Sequence, residues 1–311
     1  MRALVQDKGA TAFVGAPSAL PGGAALLTGT EAWVLIDDGE VSRFGPALAW
    51  AVRHGATALS VLVSGSDIGA GVIARRASAF SYPINVYTVS GRTQAPATPS
   101  APLDPGSGEP PADLVELLST AGLEVVWEHG VLRGEVLGLE VARTVGDHLE
   151  VGVGRHDRMA WVEFQTPVPA ALESAVAAVR DLRRPGAPAH PANRLARSRW
   201  LRSVVASAPL AYGFESLVPV APPLPWFDLP DAGPAPAIGA DSDGRPVVVV
   251  CSVGIDLDLL PTAADCRLLY GPASELVLLL PAGDDLPITR TLAELLERPP
   301  RVQTVDRKWR S

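Results

Sequence analysis

Short apolar runs alternate with amphipathic segments near the amino terminus. AWVLIDD and LSVLVSG are short segments rich in apolar residues that predict buried strands, and SRFGPALAWAVRHG between them has the spacing of an amphipathic helix. A second helical pattern, DIGAGVIARRASAF, precedes a third strand, INVYTV. The order predicted for this region is therefore strand, helix, strand, helix, strand.

The same order recurs near the carboxyl terminus. Its five segments are PVVVVCSVG, LLPTAADCRLL, ELVLLLPAG, LPITRTLAELLER and RVQTVD. Placing Gly65 on Gly283 also places Asp67 on Asp285 and Ile84 on Val302, so the likeness extends to the spacing. Strands without polar alternation are typical of parallel sheets covered on both faces. The sequence predicts an α/β fold with duplicated βαβαβ units that are doubly wound and mostly parallel.

The pattern between these two regions is different. A short helix, ADLVELLSTAG, precedes three Val-rich segments, LEVVWEHG, GEVLGLEVARTV and HLEVGVGR, of which the last two are separated by a Gly146-Asp147 turn signal. Two further helices follow, the second of them rich in arginine. This order predicts a central antiparallel hairpin with a helical insert.

Proline-rich stretches suggest where these regions begin and end. The predicted organisation is an amino-terminal βαβαβ unit, a linker, an α-β-β-β-α-α middle unit, a second linker and a carboxyl-terminal βαβαβ unit. Their bounds are 1–90, 91–112, 113–206, 207–244 and 245–311.

Composition excludes several classes of protein. Of the 311 residues, 47% are hydrophobic and 19% are charged, as in a globular protein. The unbroken apolar runs are far shorter than the roughly 18 residues of a membrane span, so no membrane partner is expected. Asp7 and Lys8 precede any run long enough for a signal peptide, and two cysteines do not suffice for a multi-cysteine metal site. A cytoplasmic protein is the resulting expectation.

Charge is distributed unevenly along the chain. The net charge is −8, but residues 133–203 carry eleven arginines and eight acidic residues, a net charge of +3. A basic region in an acidic protein is typical of a surface that binds an anion, such as the phosphate of a nucleotide or nucleic acid. The alternative is an ordinary solvated face of arginine-bearing helices.

Aspartates follow several of the predicted parallel strands. Ligands of such sheets bind beyond the carboxyl ends of the strands, and carboxylate oxygens are suitable ligands for Mg²⁺. We expect Asp256 and Asp258, in SVGIDLD, to hold Mg²⁺ if the protein uses it. The alternative is that these aspartates cap helices.

The stretch from Gly134 to Arg158 combines carboxylates, arginines, glycines and a histidine. Glycines permit close backbone approach to a ligand, and arginines hold phosphate through charge-assisted hydrogen bonds. The candidate ligand-binding residues are Arg143, Gly152, Gly154, Arg155 and Arg158. His156 adds a group able to transfer protons near neutral pH.

A helix followed by strands with acidic residues resembles the core of metal-dependent nucleases of the PD-(D/E)xK type. Gly134-Glu135 matches the start of their hairpin, and the segment from Val141 to Arg143 matches its middle, over roughly 25 residues. Leu137 replaces the usual aspartate, and glycines occupy the Glu-x-Lys positions. The resemblance implies a metal-dependent nuclease with Glu135, Glu140, Glu150 and His156 as its catalytic residues.

Four longer segments are similar to a group of uncharacterised conserved actinobacterial proteins. They are GEVLGLEVAR, LEVGVGRHDR, HPANRLARSRWLR and VVVVCSVGIDLDLLP. This resemblance implies a bacterial cytoplasmic setting and carries no activity.

Three functions follow from the sequence. The first is binding of a phosphate-bearing ligand, either a nucleotide or a nucleic acid. The second is a metal-dependent nuclease of the restriction-endonuclease-like type. The third is a non-enzymatic scaffold protein, in which the duplicated unit and the aromatic pair Trp226-Phe227 in the second linker serve assembly.

Overall fold

The computed structural model shows a mixed α/β protein. The structure describes residues 5, 13–106, 108–146, 148–154, 167–184, 186–225, 233–306 and 309. The strands are β1 (Phe13–Leu20), β2 (Gly23–Thr28), β3 (Glu31–Ile36), β4 (Ala58–Ser64), β5 (Ile84–Ser90), β6 (Thr93–Pro96), β7 (Glu124–Glu128), β8 (Val131–Val136), β9 (Leu139–Val145), β10 (His148–Val151), β11 (Phe214–Pro219), β12 (Ala235–Asp241), β13 (Pro246–Cys251), β14 (Glu275–Pro281) and β15 (Arg301–Val305). The α-helices are α1 (Phe44–Arg53), α2 (Asp67–Ala77), α3 (Ala112–Thr120), α4 (Val168–Leu182), α5 (Arg197–Ser207), α6 (Leu259–Tyr270) and α7 (Pro287–Glu294).

The first sheet has six strands in the order β1-β2-β3-β4-β5-β6. Its inner strands β3, β4 and β5 are parallel, whereas β1, β2 and β6 pair antiparallel with their neighbours. Five consecutive residues of β4 are buried, as expected for a strand covered on both faces.

A five-stranded sheet follows the order β11-β12-β13-β14-β15. Two antiparallel pairings lead into two parallel ones, and β1 to β5 of the first sheet show the same succession. Helices α6 and α7 follow β13 and β14 in the chain, just as α1 and α2 follow β3 and β4. The βαβαβ order predicted for each end of the chain is therefore embedded in two separate sheets that are partly antiparallel.

The middle sheet is an antiparallel meander in the order β10-β9-β8-β7. GEVLGLEVARTV, predicted as one segment, is interrupted by a two-residue turn at Leu137 and Gly138, whose φ angles are 48° and 73°. Paired positive φ values are typical of the tight turns that join hairpin strands. The predicted three-stranded meander therefore has four strands.

The two proline-rich stretches are not merely linkers, which corrects the prediction for 91–112 and 207–244. They contribute strand β6 and strands β11 and β12. Pro96 and Pro219 are the last residues of their strands, and Pro236 is the second residue of β12. Prolines are tolerated at strand ends because few ladder hydrogen bonds are lost there, and their number alone was misleading.

Three side chains donate hydrogen bonds to the backbone that follows β11. The carbonyl oxygen of Val220 accepts a hydrogen bond from Arg202, that of Ala221 from the Tyr270 hydroxyl at 2.6 Å, and that of Pro222 from His129 Nε2 at 2.8 Å. Three consecutive carbonyl groups are thereby held by three different elements. Burial of the Tyr270 hydroxyl raises its pKa, so it remains a proton donor throughout the physiological range.

The chain divides into two compact units. Unit 1 comprises Met1–Pro102, Leu257–Asp265 and Leu286–Pro300, and unit 2 comprises Leu103–Asp256, Cys266–Asp285 and Arg301–Ser311. The segment expected to form one carboxyl-terminal unit, 245–311, contributes to both. Among the described residues, no helix has the length and apolar character needed to cross a membrane.

Candidate functional site

Glu135 and Glu140, two of the residues predicted to be catalytic, are cross-strand partners on β8 and β9 in unit 2. Glu135 is completely buried and accepts hydrogen bonds from Arg199 and from Arg202, the latter at 2.8 Å. Glu140 is also buried and forms an ion pair with Arg133. Buried carboxylates require such partners because their desolvation is costly.

These pairs belong to a larger arrangement. Glu128 on β7 accepts a hydrogen bond from Arg199 at 2.8 Å and lies 3.0 Å from Arg133 Nε. Acidic and basic groups therefore alternate in a continuous series, which we call the buried ion network. Its members are Glu140, Arg133, Glu128, Arg199, Glu135 and Arg202.

The network favours the charged forms of Glu128 and Arg199. Burial alone would raise the pKa of Glu128, but Arg199, Arg202 and Arg133 lower it below its usual value. Burial would likewise lower the pKa of Arg199, but Glu135 and Glu128 raise it. Both groups are therefore charged at neutral pH, and each opposes the desolvation cost of the other.

A glycine positions the arginines against the sheet. Gly138 in the β8–β9 turn lies against the backbone of α5, and a Cβ atom there would be 2.2 Å from the carbonyl carbon of Arg199. No side chain fits this space. The hairpin can therefore approach α5 closely enough for Arg199 and Arg202, three residues apart on one helical face, to reach Glu135.

One more carboxylate lies next to the network. Burial raises the pKa of Glu124, and the nearby charge of Glu135 adds to the effect, although Ser203 donates a hydrogen bond to Glu124. Glu124 therefore ionises at a higher pH than an exposed glutamate does.

The other residues predicted in the hairpin are more exposed. Glu150 and Arg143 are cross-strand partners whose Oε2 and Nε atoms are 3.4 Å apart, and each side chain is about one third exposed. The Gly152 amide donates a hydrogen bond to the carbonyl of Val141 at 2.7 Å. A Cβ atom on Gly154 would meet nothing within 4 Å. The predicted residues Arg155, His156 and Arg158 lie outside the described residues.

Asp258, predicted as a metal ligand, takes part in a second group of buried charges, in unit 1. Its Oδ2 atom accepts hydrogen bonds from Arg76 at 2.8 Å and from Thr262 at 3.0 Å. Arg76 also binds Asp265 at 2.8 Å, and Arg75 binds the same carboxylate through two nitrogens at 2.9 Å and 3.0 Å. Although burial opposes the charge of Arg76, the two aspartates raise its pKa.

The remaining predicted metal ligand, Asp256, is half-buried in the loop after β13. Across the described ranges, no group of three or more His, Cys, Asp or Glu side chains is arranged to hold a metal ion. Gly69, in the first turn of α2, serves a packing role, because a Cβ atom there would be 2.2 Å from the carbonyl oxygen of Gly39. Ser66 accepts a hydrogen bond from the Gly69 amide and caps this helix.

Unit 1 also contains a large cavity that sequence reasoning did not identify. Its volume is about 830 Å³, within the range typical of small-molecule sites. The wall is formed by the β1–β2 turn, by β3, by one face of α1 and by part of α7. The side chains and backbone that line it are those of Leu20, Pro21, Gly22, Val34, Leu35, Ile36, Arg43, Pro46, Ala47, Ala49, Trp50, Val52, Arg53, Leu257, Pro287, Ile288 and Thr291.

The charged part of the wall is cationic. Arg43 and Arg53 lie at the two ends of α1, and the described lining includes no acidic side chain. The Nε atom of Arg43 is buried without a hydrogen-bond partner, next to Gly22, where a Cβ atom would be 3.4 Å away. Within the part of the chain that the structure describes, neither arginine forms an ion pair.

An aromatic side chain lies between these cations along the helix. The half-buried indole of Trp50 lines the cavity and stacks on the imidazole of His54, with ring centroids 4.2 Å apart. The stacking fixes the orientation of the indole, so that its apolar surface remains part of the cavity wall. The sequence signal for this site was weak, since an amphipathic helix flanked by arginines is common.

Comparison with known proteins adds no further constraint. No family model matches the chain, and it matches neither a curated protein nor a solved structure.

Proposed function

We propose that the protein binds a small anionic molecule in the cavity of unit 1. The observation that supports this proposal is an apolar cavity of about 830 Å³ whose charged lining side chains, among the described residues, are Arg43 and Arg53. Neither guanidinium has an ion-pair partner in the described ranges, and an anionic ligand would supply one. The apolar wall binds the rest of the molecule.

The comparison with the two groups of buried charges supports this choice of site. Glu135, Glu140 and Asp258 already accept hydrogen bonds from arginine, so a metal ion or substrate would have to displace those arginines. Arg43 requires no such displacement.

A fluorescent anion with an apolar body provides the test. Titration of the full chain with 8-anilinonaphthalene-1-sulfonate is expected to give saturable, one-site enhancement of dye fluorescence. Val52→Trp, which adds bulk from the cavity face of α1, should weaken this binding about tenfold or more. Ile68→Trp on α2 is the matched control, because Ile68 is 81% exposed and does not line the cavity.

Equal dye affinity in the Val52→Trp variant and the native protein would contradict the proposed location. The melting temperature of each variant must be measured alongside, because a partly unfolded protein also binds this dye.

The phosphate-bearing ligand predicted from the sequence is a separate proposal, for the hairpin of unit 2. It is supported by Arg143, which is partly exposed on β9, and by Gly154, where a Cβ atom would meet nothing within 4 Å. Retention of labelled DNA or RNA on a filter, with and without Mg²⁺, tests this proposal. Arg143→Ala should weaken retention, and loss of retention in EDTA would support the proposed use of Mg²⁺.

We also propose that the two ends of the chain arose by internal duplication. The support is the equal succession of antiparallel and parallel pairings in β1 to β5 and in β11 to β15, together with the constant sequence offset.

A further inference from the structure

The chemistry of the cavity wall restricts the kind of ligand it accepts. Besides the two arginines, the described lining is aliphatic, aromatic or proline, with Thr291 as its one hydroxyl-bearing side chain. A nucleotide or sugar would bury several donors and acceptors against these apolar groups. Each polar group that lost its water without gaining a partner would weaken binding. The wall therefore favours a ligand whose enclosed part is hydrocarbon.

The charge of the wall restricts the other end of the ligand. Arg43 and Arg53 bring two positive charges, and the described lining has no acidic side chain to balance them. The two terminal nitrogens of the Arg43 guanidinium, which have no partner among the described residues, can donate to two oxygens of one anionic group. Such paired hydrogen bonds suit a compact headgroup with at least two equivalent oxygens.

We infer that the cavity holds an amphiphile, a molecule with a hydrocarbon tail enclosed by the apolar wall and one anionic headgroup bound by Arg43. This inference rests on the proposed function, because it assigns a ligand class to the same cavity. Alkanoates and alkyl phosphates share the required chemistry. Arg43 is the residue that determines specificity, since it selects the anion over a neutral or cationic analogue with the same tail.

Displacement of bound 8-anilinonaphthalene-1-sulfonate from the full chain tests the ligand class. Octanoate, decanoate and dodecanoate are compared below their micelle concentrations, and affinity is expected to rise about fourfold per enclosed methylene group. Dodecanol and dodecyltrimethylammonium have the same tail without the anion, and dodecyl phosphate has a different anion. Acetate, inorganic phosphate and ATP test whether an anion without a tail is sufficient.

A matched pair of variants tests the role of the arginine. Arg43→Gln should weaken dodecanoate binding by about tenfold to a hundredfold, the range for a lost charge-assisted hydrogen bond, while leaving dodecanol binding unchanged. Arg92→Gln is the control, because Arg92 is exposed in the β5–β6 turn, does not line the cavity and should change dodecanoate affinity by about threefold or less.

The outcomes separate the two proposals. If the dye does not bind to a single site, the proposed function fails and the inference fails with it. If the dye binds and ATP or phosphate displaces it better than dodecanoate, the cavity is an anion site but the inference is wrong. Equal displacement by dodecanol and dodecanoate, or an unchanged preference in Arg43→Gln, also overturns the inference. Preference for dodecyl phosphate over dodecanoate supports it and identifies phosphate as the headgroup.

Discussion

Arginine is used differently in the buried ion network and in the wall of the cavity. In the network, Arg199 and Arg202 donate to Glu128 and Glu135, and every carboxylate has a cationic neighbour. In the cavity, Arg43 lines an apolar wall and has no ion-pair partner among the described residues. A cluster of charged residues in a sequence thus indicates a buried structural network as readily as a functional site. What distinguishes the two is whether the protein itself supplies the partners.

Removal of a central acid of the network is expected to have the largest effect. Glu135→Leu removes one acceptor from each of two buried guanidinium groups, and we expect a loss of about 3–5 kcal/mol in the free energy of unfolding. Urea denaturation followed by circular dichroism measures this loss. Glu150→Leu is the control, because its pair with Arg143 is partly exposed and should contribute about 1 kcal/mol or less. Similar losses in both variants would mean that the network is not the structural element described above.

The close approach of the hairpin to α5 is the next most sensitive feature. Gly138→Ala combines a positive φ with a Cβ atom 2.2 Å from the Arg199 backbone, and should destabilise the protein by about 2 kcal/mol or more. Gly130→Ala in the β7–β8 turn shares the positive φ but meets nothing within 4 Å, so it isolates the conformational part, about 1 kcal/mol. The difference in denaturation midpoint between the two variants measures the cost of the steric contact with α5. Equal midpoints would show that this contact costs nothing.

The pH dependence of stability distinguishes Glu124 from the network. Because burial raises its pKa, the neutral form favours folding, and this contribution is lost as pH rises through the folded-state pKa. Glu124→Gln should therefore raise stability at pH 8 by about 0.5–1 kcal/mol and change it less at pH 4. Thermal unfolding at both values provides the measurement. A larger gain at the acidic value would reverse the assigned sign.

The smallest change in stability is expected at the cavity. Arg43→Gln removes a charge that has no partner in the described structure, so the free energy of unfolding without ligand should change by about 0.5 kcal/mol or less. Arg202→Gln, which takes a donor away from Glu135, should cost several times more. Equal losses in the same denaturation assay would show that Arg43 has a structural partner and would remove the contrast between the buried ion network and the cavity.

Sequence patterns predicted the strands well where a continuous stretch of residues is buried. β4 and β14 have five and six consecutive buried residues, and both form inner strands with parallel neighbours. The strand β12 was missed because the prolines in and before it suggested a linker. Pro236 is compatible with the strand because it lies at the strand start. The turn at Leu137 was missed because leucine rarely adopts a positive φ.

The site was harder to predict because it depends on long-range contacts. Glu135 attracted attention as a carboxylate, but its partner Arg199 is 64 residues away in the sequence. The cavity is lined mostly by common aliphatic side chains from segments that are distant in the sequence. It exists because these side chains leave a space between them in the folded chain, which no local sequence pattern indicates. The sequence shows which residues are charged. Whether a charged residue can bind a ligand depends on whether the folded protein already supplies it with a partner.

The three carbonyl groups of Val220, Ala221 and Pro222 have a consequence for folding kinetics. Their donors belong to the β7–β8 turn, α5 and α6, so all three elements must be in place before this segment can dock. We expect docking to follow the rate-limiting step, so that losing the Tyr270 hydroxyl would accelerate unfolding and leave the refolding rate unchanged. The docked segment would then control the unfolding rate, and so the lifetime of the folded state, without affecting the folding rate.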